Sequence, residues 1–461
     1  MGTPVGGGLV AALVLLVAWS LGQEARPPQP TADLYTHLSV ARHLVRGEGF
    51  QTDVTYPLSF AWPFARTLPQ PLLHRRPGLA MLLVGPVAAA QGDPHRAVAM
   101  TRLLMMLMLA ALAGLGTGAL LRLGEPAAVA PWLLLLGTNP LLGYAVDWGF
   151  EELPAGLLLL VLWLRRRAPH WSDGLLMGLL GLLRLELLIL PVLWWLLTGT
   201  WTRRLLVPLA LAVAVLLPWA VRDLVVTGRP FFLVQGQAEL VKDTREWPGY
   251  SVYRGLAPQP PVQALRTAGT SVLRKGWRGL RFFRTELGGL VPWPVAWGAV
   301  LSVLTVLLLR LRGRAGPRQL GAWALLGLSL ALLAGLYAFF DHSLRHLLVL
   351  VPPLLWETAR LLAVAARRVK QPLAAGLLAL ALAANLLWIF PSPLPGWQFA
   401  AREALRLADV TSDRVAALIA DPATVPFVLD AASPWYADRA AVWTPGNAAV
   451  ADSIRTWLES P

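Results

Sequence analysis

Asp33 has the sequence surroundings expected of a catalytic carboxylate. It lies near the start of TADLYTHLSVARHLVRGEGF, residues 31–50, which follows an apolar segment. Read as a helix, this stretch places Leu34 and Leu38 on one face and Asp33 and His37 on the others, which predicts an amphipathic helix on a membrane surface. A carboxylate held there can accept a proton or bind a metal ion. The alternative is an aspartate that only caps the helix on a solvated face.

Further charged residues border apolar runs elsewhere in the chain. The acidic turn DWGFEE occupies residues 147–152, and Arg184 interrupts an apolar stretch. Ionisable residues at such places are candidates for a functional site because they are costly to bury without a partner. Besides Asp33, the candidates are two acids, four arginines and three histidines: Glu151, Glu152, Arg75, Arg76, Arg184, Arg345, His37, His74 and His346.

The composition is that of a polytopic membrane protein. The 461 residues are 56% hydrophobic and only 14% charged, with a mean hydropathy of +0.56. This apolar content is greater than a soluble domain needs. The formal net charge is +14. In a membrane protein this excess orients loops and meets lipid phosphates, and no soluble basic domain that would bind nucleic acid stands out. The chain has no cysteine, which excludes disulfides and cysteine nucleophiles.

Arginine clusters predict the orientation of the chain. Residues 165–167 and 367–370 have the basic character of cytoplasmic loops. Residues 8–22 are interpreted as a first span rather than a cleaved signal peptide, and the short apolar run at 78–90 is predicted not to cross. The count is then about eleven spans, among them residues 290–309 and 372–390, with the N-terminus in the cytoplasm. The predicted external loops are residues 23–97, 146–152 and 222–289.

Two segments have competing interpretations. Residues 174–198 are apolar except for Arg184 and Glu186, and basic clusters at both ends favour a hairpin with Arg184 near its external tip over one long helix with a paired arginine. Residues 222–289 are rich in arginine. This segment is either a surface for lipid phosphates, with aromatic residues at the interface, or indifferent solvated charge.

The composition changes after Pro391, where charges return and apolar runs shorten. Residues 391–461 are predicted to form a small external α/β domain, since the strand-like runs PFVLD and AAVWT alternate with helical runs. We expect it to be structural or to gate substrate. The remaining residues, 1–390, form the predicted transmembrane domain.

The order of these features resembles the GT-C fold of polyprenyl-phosphate-sugar-dependent glycosyltransferases, which include bacterial protein mannosyltransferases, aminoarabinose transferases and Rgt-type sugar transferases. The matching motifs are a first-loop acid followed by a Gly-x-Gly, a basic-Pro segment, second-loop acids, a Gly-x-x-Arg turn, a Pro-Trp pair and an arginine before two prolines. In this chain they are Asp33 with Gly47 and Gly49, HRRPGL at 74–79, Glu151 and Glu152, GLLR at 181–184, LPW at 217–219, and Arg345 with Pro352 and Pro353. Leu34 replaces a second acid, and His37 and His346 replace tyrosines.

The resemblance implies a membrane enzyme that moves a sugar from a polyprenyl-phosphate donor to a lipid, glycan or protein acceptor. It implies a multi-pass protein of the bacterial cytoplasmic (inner) membrane that works at the external face by an inverting single displacement. The leaving phosphate requires cations, and the residues expected to bind donor are Arg76, Arg184, Arg345, His37, His74, Arg75 and His346. Asp33, with Glu151 or Glu152, is expected to serve the acceptor, as a base or as the holder of a divalent cation.

Two other classes of protein stay open. A transporter or lipid flippase also buries charge among apolar helices, although transporters tend to place it near the midplane and often have inverted repeats. A non-catalytic membrane protein of the same fold is the other alternative, because Leu34 and His37 depart from the family pattern. Cleavage of the donor's sugar–phosphate bond by the purified protein separates the enzyme from both.

The predicted topology is testable by cysteine labelling, because the chain contributes no thiol of its own. Single cysteines in residues 23–97, 146–152, 222–289 and 391–461 should react with a membrane-impermeant maleimide added from outside. A cysteine within residues 165–167 should react only after the membrane is opened. Labelling of that position from outside in intact cells would overturn the orientation and the grouping of the acids and arginines.

Overall fold

A computed structural model describes most of the chain between Ala32 and Arg368, together with two short strands near the C-terminus. The described residues are 32–55, 58–59, 62–65, 67–137, 139–198, 205–247, 261–290, 308, 311–312, 318–368, 427–428 and 441–443. The spans predicted at 8–22 and 372–390, nearly all of the span at 290–309, and the helices predicted within 391–461 lie outside them.

The described part is mostly helical. In chain order the helices are α1 Ala32–Val45, α2 Gly78–Ala89, α3 Pro94–Arg122, α4 Val129–Gly137, α5 Pro140–Trp148, α6 Glu152–Arg165, α7 Ser172–Leu183, α8 Ile189–Leu197, α9 Leu206–Thr227, α10 Val234–Ala238, α11 Pro261–Leu290, α12 Arg318–Phe339 and α13 Val351–Arg368. Two 3-10 segments matter for the site, Leu185–Leu188 between α7 and α8 and Leu344–Leu350 before α13.

Four helical segments of the described residues are long and apolar enough to cross a membrane: Pro94–Arg122, Leu206–Thr227, Gly321–Phe339 and Leu344–Ala363. A fifth arises if Pro126–Gly137 and Leu141–Trp148, which bend by 56°, are counted as one span. The remaining members of the predicted set of about eleven are shorter or lie outside the described residues. Helix α2 has 12 residues, which is too short to cross alone.

The apolar stretch at 174–198 is broken. Helix α7 ends at Leu183, and Arg184 has an extended backbone with φ −150° and ψ 101°. A 3-10 turn and α8 follow. One continuous helix with a buried arginine is therefore excluded, and the break places Arg184 where two short apolar helices meet.

Helix α1 is buried inside the protein. Every residue from Leu34 to His43 is buried, and α1 packs along α2. The prediction of a helix lying on the membrane surface is wrong, because protein covers its polar face. Asp53 supplies that cover, accepting hydrogen bonds from Ser39 Oγ at 2.8 Å and Arg42 Nη2 at 2.7 Å.

Short strands tie the first loop together. Strands β1 (Gln51–Thr52) and β3 (Gln70–Pro71) pair antiparallel. Strand β2 (Val54–Thr55) pairs parallel with β5 (Ala441–Trp443), which also pairs parallel with β4 (Phe427–Val428). The two C-terminal strands lie within the runs predicted to be strand-like. Their pairing with the first loop was not predicted.

Glycines allow α7 and α9 to approach closely. A Cβ on Gly174 would lie 2.2 Å from the carbonyl oxygen of Pro208, and a Cβ on Gly178 would lie 2.4 Å from Val215 Cβ. Neither distance is tolerated, so the two helices require glycine at these points. The contact holds α7, and hence the break at Arg184, against a candidate span.

Gly174→Ala should lower the free energy of unfolding by about 1–3 kcal/mol, because the added methyl group overpacks the α7–α9 contact. Gly85→Ala is the matched control, since a methyl group there meets no atom within 4 Å. It should be neutral or stabilising because alanine is the better helix former by about 1 kcal/mol. Thermal unfolding of both purified variants in detergent measures this, and equal losses would contradict the close approach.

Candidate active site

Asp33 lies in the first turn of α1 between two arginines. Arg75 Nη2 donates to Asp33 Oδ1, and Arg345 Nη1 lies 2.7 Å from Asp33 Oδ2. Arg75 comes from the loop after β3, and Arg345 from the 3-10 segment before α13. One carboxylate thus joins three separate parts of the chain.

Two glutamates face this ion pair from the start of α6. Gly149 ends α5 in the left-handed conformation, with φ 66°, and turns the chain so that Glu151 and Glu152 enter the same space. Glu151 Oε2 lies 3.8 Å from His37 Nε2. Glu152 Oε1 lies 3.9 Å from Arg345 Nε. Glu151 and Glu152 line the same small cavity as Asp33, and their catalytic role stays a prediction.

Arg184 lies at the break after α7 and contacts three carboxylates. Its Nη1 donates to Glu152 Oε1 at 2.6 Å, and its Nε donates to Glu186 Oε1 at 3.0 Å. Glu151 Oε1 is 3.8 Å from Arg184 Nε. The pairing of Arg184 with Glu186 agrees with the hairpin interpretation. The positive charge of Arg184 is more than balanced by these acids.

His346 connects Glu152 to a further acid. Its Nδ1 lies 3.2 Å from Glu152 Oε1, and its Nε2 lies 2.9 Å from Asp341 Oδ2. The ring stacks on Tyr337 with centroids 4.6 Å apart, and Tyr337 donates to Glu186 Oε1 at 2.8 Å. The sequence interpretation did not include Asp341 or Tyr337 among the site residues. The five-residue spacing of Asp341 and His346 in an otherwise apolar region is the signal that could have found Asp341.

Two predicted site residues point away from this cluster. His74 is buried, and its Nε2 lies 3.0 Å from the Val54 carbonyl oxygen, so it supports strand β2. Arg76 Nη2 donates to the Phe231 carbonyl oxygen at 3.4 Å. Arg76 Nε and Nη1 are buried and have no hydrogen-bond partner among the residues that the structure describes. Arg76 can therefore still meet an anion.

Burial and neighbouring charges shift the pKa values of the acids in opposite directions. Burial opposes ionisation of Asp33, but Arg75 and Arg345 overcome it and hold the pKa of Asp33 well below its usual value. Burial raises the pKa of Glu151 to about 7, with Arg184 acting against the shift and Glu152 adding to it. Burial, assisted by Arg75, lowers the pKa of His37 to about 3. At neutral pH, Asp33 is ionised and His37 is neutral, whereas Glu151 is protonated in part of the molecules and ionised in the rest.

The surroundings of Asp33 do not fit the divalent cation that the sequence interpretation left open. Both carboxylate oxygens already meet guanidinium groups, and a metal ion would be repelled by those two positive charges. In the described part of the chain, no group of three His, Asp or Glu side chains is placed to hold a metal ion. The proposed reaction below therefore uses no metal.

Comparison with solved structures finds two similar chains. One is the crystal structure of ArnT from Cupriavidus metallidurans bound to undecaprenyl phosphate, with a TM-score of 0.45 and 13% identity over 97% of this chain and 87% of that chain. The other is ArnT from the same organism in the apo state, with a TM-score of 0.42 and 14% identity over 94% and 86%.

No family model and no curated protein sequence matches the chain. The likeness to ArnT assigns no role to any residue. The roles below depend on the geometry of this chain.

The proton held by Glu151 should be visible in the pH dependence of stability. Its pKa is about 7 in the folded protein against the ordinary 4.5, so between these values the folded state binds a proton that the unfolded state has lost. This contribution favours folding below pH 4.5 and disappears as the pH rises through about 7. In Glu151→Gln it should be missing.

Thermal unfolding of parent and variant between pH 5 and 8 measures the effect. His37 and His74, whose pKa values are lowered by burial, act in the opposite direction in both proteins. The quantity to compare is therefore the difference between the two curves. A difference that does not change with pH would show that Glu151 is ionised throughout.

Proposed function

We propose that the protein is a membrane glycosyltransferase that moves a sugar from a polyprenyl-phosphate donor to an acceptor hydroxyl. The observation that carries the proposal is the convergence of three arginines with three carboxylates, at one end of apolar helices, in a largely buried site. Cations suit a departing phosphate, and a carboxylate of raised pKa suits a hydroxyl that must lose its proton. The residues are Arg75, Arg184, Arg345, Asp33, Glu151 and Glu152.

The donor phosphate is best placed at Arg75 and Arg345. These two cations converge on Asp33, and Arg345 Nε also lies 3.9 Å from Glu152 Oε1. Arg184 instead meets Glu151, Glu152 and Glu186. A phosphate therefore gains more from Arg75 and Arg345, whose planar guanidinium groups can each bind two phosphate oxygens. The sequence interpretation expected Arg184 to bind the donor along with Arg75 and Arg345, and the proposal here gives Arg184 a different task.

Arg184 acts on the glutamates in this arrangement. It holds Glu152 Oε1 at 2.6 Å, and His346 approaches the same oxygen. Glu152 is thus ionised and fixed, which leaves Glu151 as the acid that can change its protonation state. Arg184 and His346 are then positioning residues for the two glutamates.

Glu151 is the better general base. A base works best when its pKa lies near the working pH, and burial raises that of Glu151 to about 7. Asp33 has both oxygens engaged and a lowered pKa, which makes it a weak base. We assign Asp33 the task of holding Arg75 and Arg345 in place for the phosphate. This revises the expectation that Asp33 activates the acceptor.

These groups alone account for the proton, the bonds and the electron pair of the proposed reaction. Glu151 takes the proton of the acceptor hydroxyl, and that oxygen forms a bond to the anomeric carbon of the sugar. The bond from this carbon to the phosphate oxygen breaks, and the polyprenyl phosphate departs with the electron pair toward Arg75 and Arg345. Attack opposite the leaving group inverts the anomeric centre. In this proposal the site faces the external side of the membrane, where a lipid donor and an external acceptor both reach it.

Glu151→Gln should reduce sugar transfer by a factor of about a hundred or more, the usual loss when a general base is removed. Asp33→Asn should affect the KM for the donor more than the maximal rate, because it changes the charge around Arg75 and Arg345. Glu286→Gln, a change of the same type on α11, is the matched control and should leave the rate unchanged. The assay follows release of polyprenyl phosphate from a labelled lipid-linked sugar by protein in nanodiscs.

Two results would contradict this assignment. Near-parental transfer by Glu151→Gln together with a collapse in Asp33→Asn would return the role of base to Asp33. Movement of intact donor across a vesicle membrane by the parental protein, without release of polyprenyl phosphate, would show a transporter.

A further inference from the structure

Helix α11 is held tightly along one face. A Cβ on Gly276 would lie 2.4 Å from the Phe339 ring, and one on Gly279 would lie 2.5 Å from the Ala338 carbonyl oxygen. Next to Gly276, buried Lys275 donates to the carbonyl oxygens of Glu239 and of Phe340, the latter at 2.7 Å. These contacts fix the rotation of α11 about its own axis. They therefore decide which of its residues face outward.

Two different stripes face outward. Leu273, Trp277 and Leu280 are 66%, 58% and 42% exposed and follow an i, i+4, i+7 spacing, so they line one side of the helix. Arg274, Arg278 and Arg281 are also exposed and repeat the same spacing one residue later, about 100° further round. An apolar stripe beside a basic one is the pattern of a helix at a membrane interface.

A groove opens beside these stripes. It lies between α11 and the segment before it, with a volume of about 780 Å³, and its lining includes Asp243, Arg245, Leu273, Arg274, Trp277 and Arg278. That volume is in the range of ligand sites. Arg278 Nη2 donates to the main-chain oxygen of Asp243 at 2.6 Å. Arg245, Arg274 and Arg278 thus line the same groove as Asp243.

The guanidinium groups of the groove form no close ion pair with the residues that the structure describes. Within the described residues, no carboxylate oxygen lies within 4.0 Å of a guanidinium nitrogen of Arg245, Arg274 or Arg278. The nearby acid Glu246 accepts from Ser271 Oγ at 2.9 Å instead. On the neighbouring stripe, Arg281 lies over the Trp277 ring at 5.3 Å. The groove therefore offers cations at one edge and an apolar wall at the other.

We propose that this groove binds the headgroup of an anionic glycerophospholipid of the surrounding membrane. The phosphate would lie among Arg245, Arg274 and Arg278, and the first carbons of the acyl chains would lie on Leu273 and Trp277. If the arginines were only solvated by water, the apolar stripe would remain exposed to water as well. A second copy of the chain would bring its own arginine stripe into contact with this one. A lipid satisfies both stripes at once.

The binding is measurable without any sugar donor, so its outcome is independent of the proposed reaction. Protein in nanodiscs of phosphatidylglycerol and phosphatidylcholine is extracted, and retained lipids are counted by native mass spectrometry. The double variant Arg274→Gln/Arg278→Gln should retain phosphatidylglycerol roughly tenfold less than the parent, since each arginine near a lipid phosphate contributes a several-fold effect. Arg229→Gln, an exposed arginine after α9, is the matched control and should retain it fully. Equal retention by the double variant and the control would overturn the proposal.

A second measurement keeps the arginines intact. Because the chain has no cysteine, a nitroxide can be attached singly at Leu273→Cys, and at Thr285→Cys on the basic side as control. In phosphatidylglycerol nanodiscs the label at 273 should be shielded from a water-soluble relaxation agent and reached by oxygen, whereas the label at 285 should show the reverse. Equal exposure of both labels to water would overturn the proposal. Dipolar broadening at 273 would equally overturn it by showing that a second copy covers the stripe.

Discussion

The ion pairs of Asp33 with Arg75 and Arg345 are the interaction on which the rest of the site depends. Moving a charge out of water costs several kcal/mol per ion, and removal of one partner leaves the others uncompensated. Asp33 is in α1, Arg75 is in the loop after β3, and Arg345 precedes α13. These elements are distant in sequence and are held together by the charges that the site uses. The geometry of the site and the local fold are therefore stabilised by the same contacts.

The sequence predicts most of this cluster for a physical reason. An ionisable residue next to an apolar run is buried only with a partner, so Asp33, Glu152, Arg184 and Arg345 had to meet one another or meet a ligand. The triplet at 74–76 shows where that reasoning stops. Consecutive side chains on an irregular segment point in different directions, so Arg75 enters the cluster while its two neighbours contact main-chain oxygens elsewhere.

Other features leave no local trace in the sequence. A periodic pattern shows that α1 has a polar face, but the pattern is the same whether water or protein covers it. Here Asp53 covers it through Ser39, Arg42 and His43. The parallel pairing of Val54 with Ala441 joins strands of two and three residues from opposite ends of the chain, which are too short to carry a periodic signal. The choice of Glu151 over Asp33 as base likewise depends on three-dimensional surroundings, since both are carboxylates beside apolar sequence.

A second buried charge network lies at the other end of α6 and bears on the class of protein. Helix α6 begins at Glu152 in the site and ends at Arg165, about 20 Å away at 1.5 Å per residue. There Glu357 accepts from Trp163 Nε1 at 3.0 Å and Arg166 Nη2 at 3.2 Å, and Arg360 joins Glu357 to Glu125.

This second network ties α6 and α13 to the turn after α3. A transporter that alternates its access must open each end in turn, and each opening here would separate buried, hydrogen-bonded charges at a cost of several kcal/mol. A transferase requires only that one end admit a lipid and an acceptor. With Glu152 fixed at one end of α6 and Arg166 fixed at the other, the helix is a rigid support, and the charge distribution suits bond transfer at a fixed site better than passage through the protein.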